Sequence, residues 1–437
     1  MAKIKTGFVC NQCGYESAQW YGKCPNCGEW NTLQEFKVQN SKFKVGDHSN
    51  RREEIKPIKL SEIKRQTASR VSSRISEFDR VLGGGFVVGE MALLAGEPGV
   101  GKSTLLLELA KNLPQVLYIC GEESAEQVKM RAERLGVVGD NLTLLTETNL
   151  DRFIDNLEKE KFIIVDSIQT LWSADFEGSP GSISQVKGCS QKLLEVIKKN
   201  GTTTILVGHV NKDGNIAGPM TLSHMVDAVF FLEGERFTDL RLLRGIKNRF
   251  GPTDEVGVFK MSEKGMEEVK NPSELFLEMD KEIKSQPGSV TVCAMEGTRP
   301  MLLEIQALVT QSALAVPRRV VSGVDYNRVL LLAAVLQKTL GLPLYNQDIF
   351  VKVGGGFKVS EPAADLGICL AIISSFRNQP LPTQVCAFGE VGLLGEIRRV
   401  SGEEKRVKEA KKLGFTSVLS PAVVKSLREA SKVISNQ

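Results

Sequence analysis

The sequence predicts an α/β protein built around a phosphate-binding loop, with a small metal module before it and a second α/β domain after it. Three observations predict this. The apolar run Leu93-Leu94-Ala95 feeds the glycine-rich Gly96-Glu97-Pro98-Gly99-Val100-Gly101-Lys102-Ser103-Thr104; two Cys-x-x-Cys pairs open the chain; and a fresh α/β pattern starts after a charged, proline-punctuated stretch at 271–288. At 437 residues the chain exceeds one hydrophobic core. Hydrophobic content of 42% and charged content of 25% are those of a folded globular protein. No apolar run reaches the length of a membrane span, and Met1-Ala2-Lys3-Ile4-Lys5 is not followed by a signal-peptide core. A cytoplasmic location and no membrane partner are therefore expected.

Residues 1–30 read as a zinc-binding module. Cys10 and Cys13 form one knuckle, Cys24 and Cys27 a second, with ten residues between them. Four thiolates on two sharp turns close a tetrahedral zinc site, and in so small a module the metal supplies the folding energy. Disulfides are the structural alternative, and a reducing cytosol disfavours them. Trp20, Tyr21 and Trp30 are expected to give at least two members of a miniature core, with exposure for stacking on a base or partner as the other reading. The remaining cysteines, Cys120, Cys189, Cys293, Cys369 and Cys386, sit mostly in apolar surroundings and read as small buried hydrophobes. Residues 31–60 form a basic linker. From Lys37 to Arg74 eleven Lys and Arg face four Asp and Glu, which suits either a solvated arm or phosphate contact. The net charge of +4 does not by itself select nucleic acid.

The domain at 61–270 is organised by its loop. Gly-x-x-x-x-Gly-Lys-Ser lets backbone N–H groups curl round the β-phosphate of ATP, puts Lys102 on the β/γ oxygens and hands Ser103 to Mg2+. A helix from Lys102 to Lys111 adds its positive end to the same anion. Strands are expected at 91–95, 116–119, 162–167 and 203–207, as apolar runs buried on both faces. Acids at strand tips lie where ligands bind in such sheets. Asp166 is expected to hold magnesium from just outside its first ring of ligands, and Glu122 or Glu123 is expected as the base that orients the attacking water. Ser124 could also cap a helix there, with Glu126 in its first turn. Residues 172–186, rich in Gly, Pro and Ser, read as a mobile loop. His209 at a strand tip reads as a γ-phosphate sensor or as a structural histidine. Lys247 and Arg249, spaced by one residue before a turn, suit a finger entering another subunit's phosphate site, or a solvated hairpin end.

Together the four-cysteine module, Gly96 to Thr104, Gly121-Glu122-Glu123-Ser124, Gly208 to Gly214 and Lys247-Asn248-Arg249-Phe250-Gly251 resemble the bacterial RadA (Sms) DNA-repair proteins, which are RecA-like ATPases. The resemblance spans essentially the whole chain. It implies a RecA-like P-loop NTPase core in a homo-oligomeric ring, a hexamer. It further implies a DNA-dependent ATPase motor that acts with RecA on single-stranded and branched DNA and drives branch migration in homologous recombination. It favours Glu122 as the base, with Glu123 adjacent, and places Lys247 and Arg249 at the subunit interface and in DNA coupling.

Residues 289–437 resemble the peptidase domain of the Lon family. In Lon enzymes a serine in Pro-Ser-Ala-Gly and a lysine about forty residues later form the nucleophile and base. Here the matching stretch Glu361-Pro362-Ala363-Ala364-Asp365 puts Ala363 at the nucleophile position, and Glu404 falls at the lysine position. Neither can do the chemistry. The domain is therefore expected to be proteolytically inactive, with Ser360 and Lys405 as the two neighbours that could restore it. The cations from Arg398 to Lys412 read as a solvated helix face, or as the lining of a DNA path. Two other functions compete with the motor: an ATP-dependent protease of Lon type, opposed by Ala363 and Glu404, and a nucleotide-switched DNA-binding scaffold, separable by the effect of DNA on ATP turnover.

Overall fold

The computed structural model describes residues 5–10, 16–17, 19–26, 28–38, 70–137, 139–209, 220–234, 239–273 and 286–434. At the N-terminus, Lys5–Cys10 pairs antiparallel with Glu16–Ser17 on one side and Leu33–Val38 on the other. Cys10 lies opposite Leu33, and these two with Cys24 form a small buried cluster. Trp20, Tyr21 and Trp30 are all exposed, so the expected aromatic core is absent from the described ribbon. The ribbon is thin enough for two cysteines and one leucine to fill its interior, which leaves the rings outside.

The chain packs as two units, one comprising 1–74, 82–232 and 246–251, the other 75–81, 233–245 and 252–437. In the first, a parallel sheet runs in the order Ala228–Gly234, Met91–Gly96, Thr203–His209, Phe162–Asp166, Val116–Cys120, Leu142–Leu145. Three of these strands, Met-Ala-Leu-Leu-Ala-Gly, Val-Leu-Tyr-Ile-Cys and Phe-Ile-Ile-Val-Asp, are buried at every position, as expected of strands covered on both faces. The helix Ile183–Asn200 lays Val186, Cys189, Leu193 and Ile197 on the sheet, a spacing of three and four that keeps one apolar stripe inward. Ser182 caps its N-terminus and Gly201, in the left-handed region, ends it.

The stretch before that helix is not the mobile loop its composition suggests. Ser173 donates its hydroxyl to Asp151 at 2.7 Å, and Lys192 donates to Asp151 at 2.8 Å. The buried Gln185 amide donates to the Phe176 carbonyl at 2.6 Å and accepts from the Ser173 N–H at 2.9 Å. Side chains distant in sequence thus satisfy the turn that its glycines and serines make.

The second unit holds most of an antiparallel meander and a six-stranded sheet. Leu240–Asn248, Val256–Ser262 and Gly265–Glu268 form an antiparallel meander. Glu77, from the helix Ser76–Leu82, accepts from the Val258 N–H at 2.9 Å and from Arg299 at 2.5 Å. That buried carboxylate ties the segment 75–81 and the meander to the C-terminal region, so packing groups them together across the 271–288 stretch. The six-stranded sheet has the order Arg319–Ser322, Gln347–Val353, Arg299–Gln311, Ser289–Glu296, Val385–Ala387, Ser417–Leu419. Helices Tyr326–Leu340 and Asp365–Arg377 supply one core with it, including Leu332, Leu336, Leu366, Leu370 and Ile373. Asp325 caps the first of these helices through the Arg328 N–H. Among the described residues, no helix is long and apolar enough to cross a membrane.

Candidate ATP-binding site

The strand Met91–Gly96 ends between Thr203–His209 and Ala228–Gly234, where the strand order reverses. In open α/β sheets that crevice is where ligands bind. The loop leaves this strand and turns into the helix Lys102–Asn112, with Gly99 and Gly101 at φ 79° and 112°, values that favour glycine. Gly101 is the residue before the helix and gives it no side-chain cap, so the first N–H groups stay directed at the loop. Glu97, Pro98 and Gly99 are exposed, Val100 is buried, and Ser103 and Thr104 are partly exposed.

Lys102 is buried and donates its ammonium to the Gly96 and Glu97 carbonyls at 2.9 and 3.0 Å. Burial lowers its pKa, and the charges of Asp166 and Glu122 oppose that shift. The ammonium therefore lies in the field of both acids picked out at the strand tips. Register accounts for this: Cys120 sits beside Asp166, and Gly96 beside His209, on neighbouring parallel strands. His209 ends its strand; the glycine-rich stretch 210–219 lies outside the described residues.

Two partners that sequence reasoning did not find fix the acids. The buried Tyr118 hydroxyl donates to Asp166 Oδ2 at 2.5 Å, and burial with the Asp166 charge pushes the phenol well up. Ser167 donates its hydroxyl to Glu122 Oε1 at 2.5 Å. Glu123 has a different tie, an ion pair with Arg131. Ser124 caps the helix Ala125–Arg134 in a reciprocal capping box with Gln127, so the helix-start reading of this loop holds alongside the acidic one.

Lys247 and Arg249 are engaged within their own chain. Lys247 donates to the carbonyls of Ser223 and Val226 at 2.6 and 2.7 Å, and Arg249 pairs with the buried Asp227 at 3.2 Å. Asp227 also accepts from Lys198 at 2.6 Å and from the Met91 N–H at 3.1 Å. Arg249 thus sits on a carboxylate that also anchors the start of the loop-bearing strand, while Lys247 is held by backbone carbonyls.

At the N-terminus, Cys10 and Cys24 are both buried, and the Gly28 N–H closes a tight turn on the Cys24 carbonyl at 2.9 Å. That turn and the buried sulfurs fit a zinc knuckle. Cys13 and Cys27 lie outside the described residues.

In the second unit Ala363 is 1% exposed, while Glu404, Lys405 and Ser360 face solvent. Arg406 departs from the expected solvated cationic face: it is 0% exposed. Its guanidinium grips Glu361 bidentately at 2.8 and 2.6 Å and donates to the Cys293 and Ser401 carbonyls. Glu361 also accepts from the Met295 N–H at 2.5 Å.

Over 97% of its length the chain is 48% identical to the DNA repair protein RadA of Bacillus subtilis, covering 93% of that protein. This chain belongs to the RadA family of DNA repair proteins. The RadA of Listeria monocytogenes is likewise 48% identical, over 96% of this chain and 93% of its own. Three family models match in order along the chain: a rubredoxin metal binding domain at residues 8–35, an AAA domain at 57–215 and the subunit ChlI of Mg-chelatase at 331–423. The crystal structure of the RadB recombinase aligns with 46% of this chain and 99% of its own, at 25% identity and a TM-score of 0.37. As a member of the family, the chain has an N-terminal zinc ribbon, a RecA-like P-loop ATPase core and a Lon-like C-terminal region.

Proposed function

We propose that this protein is a DNA-dependent ATPase motor that processes single-stranded and branched recombination intermediates by branch migration, together with RecA, as a hexameric ring. One observation carries the catalytic half of this reading: Glu122 and Asp166 stand at neighbouring strand tips, with Ser167 bonded to Glu122, at the carboxyl end of the parallel sheet whose strand Met91–Gly96 feeds the loop and Lys102. Lys102 binds the β- and γ-phosphates; Ser103 and Asp166 would hold Mg2+, whose chemistry is to neutralise phosphate charge. Glu122 orients and deprotonates the attacking water, with Glu123 committed to Arg131. His209 reads the γ-phosphate. Lys247 and Arg249 act from the neighbouring subunit, leaving their carbonyl and Asp227 partners as the ring closes. Cys10, Cys13, Cys24 and Cys27 would hold a structural zinc ion.

The residues at the expected peptidase positions argue against proteolysis. The residue at the nucleophile position is a buried alanine, and the two candidates for rescue are exposed side chains flanking a buried ion pair. The deciding experiment is ATP turnover with and without single-stranded DNA, at salt concentrations that permit binding. Stimulation by DNA is expected. A rate indifferent to DNA would defeat the motor and favour the nucleotide-switched scaffold.

A further inference from the structure

We propose that Ser167 is a positioning residue for ATP hydrolysis, its hydroxyl holding the Glu122 carboxylate in the orientation that receives a proton from the attacking water. The inference rests on the reading of Glu122 as the base and goes one residue beyond it.

Glu122 is exposed, on a strand-tip loop, and belongs to no helix or strand. Ordering such a side chain costs rotamer freedom. Ser167 offsets part of that. It is 0% exposed and donates to Glu122 Oε1 at 2.5 Å. A carboxylate accepts such a bond, and the bond fixes the direction in which the group faces.

Ser167 can do this because its own place is fixed. The Thr170 hydroxyl donates to the Ser167 carbonyl at 2.7 Å, closing the turn after Asp166. From the other strand tip, the Gly121 N–H donates to the Asp166 carbonyl at 2.7 Å. A Cβ on Gly121 would come within 1.8 Å of the Thr170 hydroxyl oxygen, so only glycine lets the segment carrying Glu122 settle on that turn. Gly121, Ser167 and Thr170 form a bracket joining the tip that bears the base to the tip that bears the metal-binding Asp166. In the reaction, water's oxygen bonds the γ-phosphorus, Glu122 takes a water proton, and the bond to the β–γ bridging oxygen breaks with ADP as the leaving group.

The test is steady-state ATP hydrolysis by the full-length chain with Mg2+ and single-stranded DNA, alongside equilibrium binding of a fluorescent ADP analogue. Ser167→Ala should lower kcat roughly 10- to 100-fold, with KM and analogue affinity within about two-fold of the parent, since displacement of a catalytic group costs turnover and not binding. Ser167→Cys, near in size and a weaker donor, should fall between. In a Glu122→Gln background, Ser167→Ala should cause no further loss. A parental kcat in Ser167→Ala overturns the inference, as does an equal fold-loss in both backgrounds, which would mark a merely structural effect. A parental rate in Glu122→Gln itself would instead remove the base assignment on which the inference stands.

Discussion

Arg406, fully buried, grips the partly buried Glu361 bidentately at 2.8 and 2.6 Å, two residues before Ala363. Breaking one side leaves an uncompensated charge, a loss of about 3–5 kcal/mol. Arg406→Met should therefore destabilise the C-terminal unit by that order. Hydrogen exchange of the strand Ser289–Glu296, whose Cys293 carbonyl and Met295 N–H meet the pair, should accelerate accordingly. The parent protein should leave casein intact with or without ATP. ATP-stimulated cleavage that disappears on Ser360→Ala would show a working peptidase and refute the assignment.

Lys102 is the second test. On the proposed assignment its ammonium supplies the charge that follows the γ-phosphate through the transition state, and Lys102→Ala removes it while leaving the loop backbone in place. Hydrolysis should fall by roughly 100-fold or more. Normal turnover would refute the site.

Tyr118 offers a quieter probe. Tyr118→Phe deletes only the hydroxyl that donates to Asp166, leaving that buried acceptor short of a partner at about 1–3 kcal/mol. If Asp166 holds magnesium as proposed, it would then be less firmly oriented for the ion. The Mg2+ concentration giving half-maximal hydrolysis should shift measurably, with the rate at saturating Mg2+ much less affected. An unchanged Mg2+ profile would assign the tyrosine to packing alone.

The zinc ribbon is tested through Cys24, buried against Cys10. Cys24→Ser should abolish stoichiometric zinc in purified protein and loosen the ribbon strands to hydrogen exchange, since a module of this size depends on the ion for its fold. Full zinc content in that variant would contradict the knuckle assignment.

Much of the first unit was legible because buried parallel strands write themselves as unbroken apolar runs, and acids at their ends stand out against them. Ser124 was legible as a cap because its partner Gln127 lies three residues away. The Ser167–Glu122 bond joins residues 45 apart in sequence, and no local spacing encodes it. Asp151, Lys192 and Gln185 likewise fasten the 173–182 stretch from other elements, so composition alone suggested mobility. Arg406 did leave a signal. It shares an i, i+4 face with Ala410, the two buried positions of the helix Glu403–Lys412, and that stripe distinguishes it from Lys405 and Lys408.

Glu90 makes the stability of the first unit depend on pH. It is 2% exposed, and burial raises its pKa from 4.5 to about 7, aided by Asp227 and opposed by the Val87 N–H, Arg70 and Lys198. The sign follows from the folded value lying above the unfolded one. Below pH 4.5 the carboxyl is protonated in both states and costs nothing. As pH rises toward 7 the unfolded chain ionises freely while the folded chain resists, so stability is lost through that window and the loss is complete above it. At 1.36 kcal/mol per unit the full effect is about 3 kcal/mol. Glu90→Gln keeps an oxygen for the Val87 N–H and removes the titration. Parent and variant should unfold at similar urea concentrations at pH 4 or below, and the variant should be the more stable at pH 8. Trp172 fluorescence reads this transition, because Trp20 and Trp30 belong to the ribbon. A variant no more stable than the parent at pH 8 would show that Asp227, Arg70 and Lys198 rearrange to neutralise the charge.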